Sequence, residues 1–294
     1  MQRLKLRLFA PVMGMRLAAV ASFGLMLAAC QDPVDSGGNA PASVATAEEG
    51  APVTAALPKG VGWRDWVKVE TERLTREEPA LVAQLSELVP LTTRSGKKRF
   101  VSPALQNPWA TPLLLGRLMA QTDDVSTRRG IAEALGLTKG PYAEALFDLL
   151  STEPAPEVRE ALTDLLRDTD VYTTWQALEK ALGDESDMVR AEAIHVTMAR
   201  SDRKKVEPHV IKALENEGLE TRRAAIFAVS VLRPAGAKPA LERMVDGRGA
   251  LRAAALLALY RVDPAAVRSR GDLDILAADP TMVGVVAEIR RGEP

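Results

Sequence analysis

What most limits the fold open to this 294-residue chain is a pattern that returns every 30 to 32 residues. The stretches TRRGIAEAL from Thr127, VREALTDLL from Val158, VRAEAIHVT from Val189, TRRAAIFAV from Thr221 and LRAAALLAL from Leu251 share one frame. Each has an arginine at its second place: Arg128, Arg159, Arg190, Arg222 and Arg252, at spacings of 31, 31, 32 and 30. Three residues after the arginine stand Ile131, Leu162, Ala193, Ala225 and Ala255, and six after it Ala134, Leu165, Val196, Ala228 and Ala258. Small and apolar residues three apart make one stripe along a helix.

A second frame runs at the same period: TPLLLGRLM from Thr111, YAEALFDLL from Tyr142, TWQALEKAL from Thr174, VEPHVIKAL from Val206 and AKPALERMV from Ala237. Breakers and caps separate the frames, among them Lys139-Gly140-Pro141, Pro154-Ala155-Pro156, Gly183-Asp184, Gly218 and Pro234-Ala235-Gly236. Two helices per unit, neither able to bury its stripe alone, predict an all-α solenoid of about five to six helix pairs in which each unit covers the next. Irregular units cap it. One helix from Trp63 to about Arg76 and another from Pro79 to Val89 cover the first pair, with Trp63 and Trp66 packed on it. Segments Asp272–Ala277 and Thr281–Arg290 form a truncated last unit, where Val283 stands in the arginine's place.

The period, the paired helices, and an acidic residue a few places before V-R or T-R resemble the HEAT-type repeats of phycobilin lyases. The resemblance covers residues 111–294, following an N-terminal helical cap over 62–110. It implies first helices on the convex face, second helices on the concave face, and structural arginines paired with acids of a neighbouring turn. Asp123, Glu153, Asp184, Glu217 and Asp246 lie five or six residues before the five arginines.

The N-terminus carries a different signal. Arg3, Lys5, Arg7 and Arg16 precede an uncharged, mostly apolar run from Leu17 to Ala29. That order is an n-region, an h-region and a cleavage site, and 13 residues fall short of the roughly 20 needed for a spanning helix. The chain's one cysteine follows in Leu27-Ala28-Ala29-Cys30, which resembles the bacterial lipobox. The resemblance implies that residues 1–29 are removed and that Cys30 carries the lipid that binds the protein to a membrane. Gln31, not aspartate, follows the cysteine, which favours the outer membrane, facing the periplasm. Residues 30–61, rich in Ala, Pro and Gly and lacking aromatics, read as a disordered tether.

Removing the four basic residues of the signal leaves 34 Lys and Arg against 39 Asp and Glu. An acidic balance of that kind argues against nucleic acid as a partner. Catalytic chemistry is not written in recognisable form. G-x-S-x-G, a Gly-rich phosphate loop and H-E-x-x-H are missing from the sequence. The two histidines, His195 and His209, precede valines, whereas HEAT-type hydroxylases carry His-Glu pairs. His195 reads as partly exposed surface and His209 as a half-buried packing residue. No metal and no cofactor are expected. The loop 91–109, with Arg94, Lys97, Lys98, Arg99 and Phe100, is the one long irregular piece of the folded region.

The function expected is therefore a membrane-anchored scaffold for protein–protein interaction in the cell envelope. The alternative is an assembly factor or enzyme of the lyase-like class acting briefly on a client. A partner site is expected on the second helices. Two places before each closing apolar residue stand Arg117, Asp148, Lys180, Lys212 and Arg243, a mostly basic column, with Phe147 and Ile211 in the adjacent one. Such a ridge suits an acidic segment of an envelope protein.

Overall fold

The computed structural model describes residues 56–86, 91–92, 98–99, 102–138, 140–199 and 203–292. The signal segment, Cys30, nearly all of the tether, and Arg94, Lys97 and Phe100 of the basic loop lie outside the described residues. The described residues belong to one compact unit, 52–294.

Two helices open it, α1 (Trp63–Glu77) and α2 (Pro79–Ser86), at the places the sequence predicts. Trp63 and Trp66 are buried, and the Trp63 indole Nε1–H donates to Asp148 Oδ2 at 3.0 Å. The segment after α2 is more regular than expected. Leu91–Thr92 (β1) pairs antiparallel with Lys98–Arg99 (β2), and a 3-10 turn, Pro103–Gln106, follows. Ser102 caps that turn through a bond from the Ala104 amide, the usual service of a serine at a helix start.

The repeat follows as pairs. Second helices of the sequence frame are α3 (Ala110–Ala120), α5 (Leu146–Thr152), α7 (Val171–Leu182), α9 (Arg203–Ala213) and α11 (Lys238–Asp246). First helices are α4 (Val125–Leu135), α6 (Pro156–Asp164), α8 (Asp187–Met198), α10 (Leu219–Leu232) and α12 (Arg252–Val262). Three short helices close the chain: α13 (Pro264–Arg268), which the periodicity does not predict, α14 (Leu273–Ala277) and α15 (Val283–Arg291). Single 3-10 turns, Ala143–Ala145 and Ala235–Ala237, lead into α5 and α11.

The stripe residues explain how the units stack. Ile131, Leu162, Ala193, Ala225 and Ala255 are all buried, as are Ala134, Leu165, Val196, Ala228 and Ala258. Alanine at these places lets backbones approach closely, and α4, α6, α8, α10 and α12 pack on one another in an unbroken series. Second helices stand further apart; α5 and α7 lie closest, while clefts open between α7 and α9 and between α9 and α11.

The core falls into two clusters that meet within α8. Val189, Ala193 and Val196 belong to the cluster reaching back to α1, and Ala191 and Ile194 to the one running on to α15. This is an all-α solenoid of HEAT-like repeats.

Candidate functional site

The repeat arginines form a ladder along one edge of the stack. Arg128, Arg159, Arg190 and Arg222 sit one turn into a first helix and Arg252 at the first residue of α12, and all but Arg222 direct a nitrogen at the segment before the helix. Arg128 Nη1 donates to the Asp123 carbonyl at 2.7 Å, Arg159 Nη1 to the Pro154 carbonyl at 2.8 Å, and Arg190 Nη1 to the Asp184 carbonyl at 2.7 Å. Arg252 Nε donates to the Val245 carbonyl at 2.9 Å. The carboxylate partner lies elsewhere, in the following unit. Arg128 Nε and Nη2 bond both oxygens of Glu153 at 3.2 and 2.9 Å; Arg159 bonds both oxygens of Asp184 at 2.8 and 2.9 Å. Arg252 Nη1 reaches Asp279 at 2.8 Å. Glu153 and Asp184 therefore each serve the arginine of the unit before, and lend their own arginine only a backbone carbonyl.

The same acids fix the next turn. Glu153 Oε1 accepts from the Ala155 amide, Asp184 Oδ1 from Ser186, and Asp279 Oδ1 from Thr281, each two residues on. One carboxylate thus ties a guanidinium, a loop and a helix start together. Burial makes the forks demanding, since the Arg128 and Glu153 side chains are 9% and 4% exposed and those of Arg159 and Asp184 both 6%. The bonds from Glu153 and Asp184 raise the two guanidinium pKa values against the opposing effect of burial.

At the two joints after Arg190 and Arg222 the pattern lapses. The residue that accepts from the amide two places on is Asn216, bonded by the Gly218 amide at 2.9 Å. Asn216, not Glu217, holds the rung position, so Arg190 has an amide where Arg159 has a carboxylate. Asp246, six residues before Arg252, turns instead to Arg270 at 2.7 Å. Arg222 therefore receives no rung carboxylate either. Arg190 Nε and Arg222 Nε are buried without a hydrogen-bond partner among the described residues.

Asp187 bridges the first of these joints in its own way. Its carboxylate accepts from the Glu220 and Thr221 amides at 2.9 and 3.1 Å and from the Thr221 hydroxyl at 2.5 Å, capping α10 from the unit before. Gly218 makes room for it, because a Cβ there would collide with the Asp187 carboxyl and press on Arg190. Burial alone would raise the Asp187 carboxyl pKa, but the Thr221 hydroxyl, the two amides and Arg190 outweigh it and hold it below the usual carboxylate range. A depressed value contributes stability above the unfolded pKa, near 4, that is lost as pH falls through the folded value. Asp187→Asn should lower the urea midpoint at neutral pH, by an amount that shrinks as pH falls from about 4 through the depressed folded value. A difference that stays constant over that range would show that the charge plays no part.

Both lapsed joints open into clefts. One, about 790 Å³, lies between α7 and α9 and is lined by Glu179, Arg190, His209, Lys212 and Asn216 among others. The other, about 310 Å³, lies between α9 and α11, with Leu214, Leu219, Met244 and Leu251 as walls and Arg222, Arg243 and Arg252 among its polar groups. Residues 175–260, which contain both clefts, match the family model of HEAT repeats. No curated protein matches the chain.

The HEAT-like stack separates the expected ridge into two parts. Lys180 and Lys212 are exposed, and Arg243, also exposed, pairs with Glu215. Lys212 and Arg243 border the two clefts. Arg117 is held by Asp123 at 3.0 Å and by the Leu85 carbonyl, and Asp148 by Trp63 and Arg64. Phe147 is 42% exposed, whereas Ile211 is half-buried against the second core cluster. The histidines lie where the sequence puts them. His195 is partly exposed, 3.5 Å from Glu192, and His209 is half-buried, edge-on to Trp175 with ring centroids 5.6 Å apart. Among the described residues no group of three or more His, Cys, Asp or Glu could hold a metal.

Proposed function

We propose that this protein is a lipid-anchored scaffold of the bacterial cell envelope, which holds an acidic segment of a partner protein on its second-helix face. HEAT repeats suggest protein–protein interaction in general. The observation that carries the finer reading is the pairing of exposed Lys180, Lys212 and Arg243 with two clefts open between successive second helices. Exposed charge of one sign steers and orients a partner of the other, and the clefts supply the concave apolar contact that a smooth solenoid face lacks.

Reversing Lys180, Lys212 and Arg243 together to glutamate should abolish capture of the crosslinked partner in intact cells while leaving the thermal melt within a few degrees. Three reversals on exposed first-helix positions should leave capture intact. Equal capture by both variants would remove the ridge from the reading.

The anchor rests on Leu27-Ala28-Ala29-Cys30, and the attached chains, at about 0.8 kcal/mol per buried methylene, would hold the protein on a membrane essentially permanently. Among the described residues no helix is long and apolar enough to cross a membrane. Cys30→Ala should therefore yield an unprocessed precursor or a soluble product. Mature protein that still sediments with membranes in high salt would defeat the lipid reading.

A further inference from the structure

Arg190 and Arg222 differ from Arg128, Arg159 and Arg252 in that no rung carboxylate reaches them; the only carboxylate that Arg190 meets among the described residues is Asp187 of its own helix, at 3.3 Å through Nη2. Arg190 loses it by composition, through Asn216, and Arg222 by diversion, because Asp246 is drawn to Arg270. The two lapses are consecutive. Each leaves a guanidinium Nε buried with no partner among the described residues, and each of the two arginines lines one of the two clefts between second helices. A buried guanidinium nitrogen without an acceptor is costly, and the acceptor that fits it is planar, anionic and bidentate.

We infer that Arg190 and Arg222 are carboxylate-binding sites for a partner. The cleft between α9 and α11 takes an acidic side chain of the docked segment onto Arg222, and the cleft between α7 and α9 takes another onto Arg190. The partner thereby supplies from outside the rung that Glu153 and Asp184 supply from within. The smaller cleft has the sharper chemistry. Leu214, Leu219, Met244 and Leu251 give it apolar walls, Arg243 and Arg252 add positive charge, and among its lining residues the only carboxylate is Glu215, already paired with Arg243. It therefore selects an acidic residue with an apolar neighbour. This deepens the scaffold reading and rests on it only for the existence of a partner.

The probe is a fluorescein-labelled peptide with blocked ends, alternating leucine–glutamate pairs with glycine, and its twin with glutamine for glutamate. Titrated by anisotropy against the full chain in detergent, the glutamate peptide should bind at least about tenfold more tightly than its twin. Arg222→Gln should erase most of that ratio. Arg222→Lys, which keeps the charge and loses the fork, should also lose most of it, and it serves where the glutamine variant does not fold. Asn216→Asp should give Arg190 its own carboxylate, raising the melting temperature and weakening the glutamate peptide several-fold.

Equal binding of the two peptides, no binding of either, or a ratio untouched by both Arg222 variants would overturn the proposal. Partner capture that is lost on reversing Lys180, Lys212 and Arg243 but survives Arg222→Gln would overturn it while sparing the scaffold. A peptide ratio present in the native protein and erased by the Arg222 variants, alongside intact capture by the ridge-reversed protein, would do the converse.

Discussion

Replacing Glu153 by alanine should destabilise the protein by about 3–5 kcal/mol, the range for removing one partner of a buried ion pair. Glu153 accepts from Arg128 Nε and Nη2 and from the Ala155 amide, and its loss leaves the buried guanidinium with a single acceptor among the described residues, the Asp123 carbonyl. Asp184→Ala should cost less, because Glu185 stands 3.2 Å from Arg159 and can take over part of the charge. The double change Arg128→Met with Glu153→Met should recover most of the loss, since well-packed apolar groups in place of a buried pair are often neutral or better. Urea unfolding of the single and double variants checks this. A loss below about 1 kcal/mol for Glu153→Ala would place the rung with ordinary surface pairs.

Ala225→Leu should cost about 1–3 kcal/mol by overpacking. Ala225 is fully buried on α10, in the layer where first helices crowd together, and Ala193 and Ala255 hold the same place on α8 and α12. The larger side chain has to push one neighbour away. Ala80→Leu, on the exposed side of α2, adds the same atoms where nothing is packed and should be near neutral. Comparable losses at the two positions would mean that the stripe is not what sets the spacing of the units.

The helices were legible because their pattern is repeated five times in each of two frames, so that chance matches are averaged away. Stripe residues three apart identified the buried column from Ile131 to Ala255 without error. A single occurrence carries no such averaging, and α13, five residues at Pro264–Arg268, went unpredicted for that reason. So did the β1–β2 pairing, two residues on each side.

The acid column holds its rung at Glu153 and Asp184, turns aside at Asp123 to Arg117 and at Asp246 to Arg270, and is off by one after Arg190. Glu215-Asn216-Glu217 offers an acid on either side of the true position, and only the hydrogen bond from the Gly218 amide fixes the register. The clefts had no sequence signal, because they depend on how far second helices splay once first helices have closed up. The ridge was readable as a column of charge, but the column does not say that Arg117 would be taken by Asp123 and the Leu85 carbonyl.

The ladder also has a direction. Arginine 128 waits for residue 153, arginine 159 for residue 184, and arginine 252 for residue 279, so each cation is made before the anion that completes it. A chain growing from its N-terminus on the ribosome therefore carries an open rung after each of these three arginines, and that rung is closed only when about 25 more residues have emerged. A truncation between Arg128 and Glu153, between Arg159 and Asp184, or between Arg252 and Asp279 repeats the situation permanently, leaving a guanidinium at the cut end without its anion. At the last arginine of the series Asp279 answers Arg252, and Val283 stands where a further cation would. The short C-terminal helices are thus a terminator as much as a cover, and a stable shortened version would have to end on an acid.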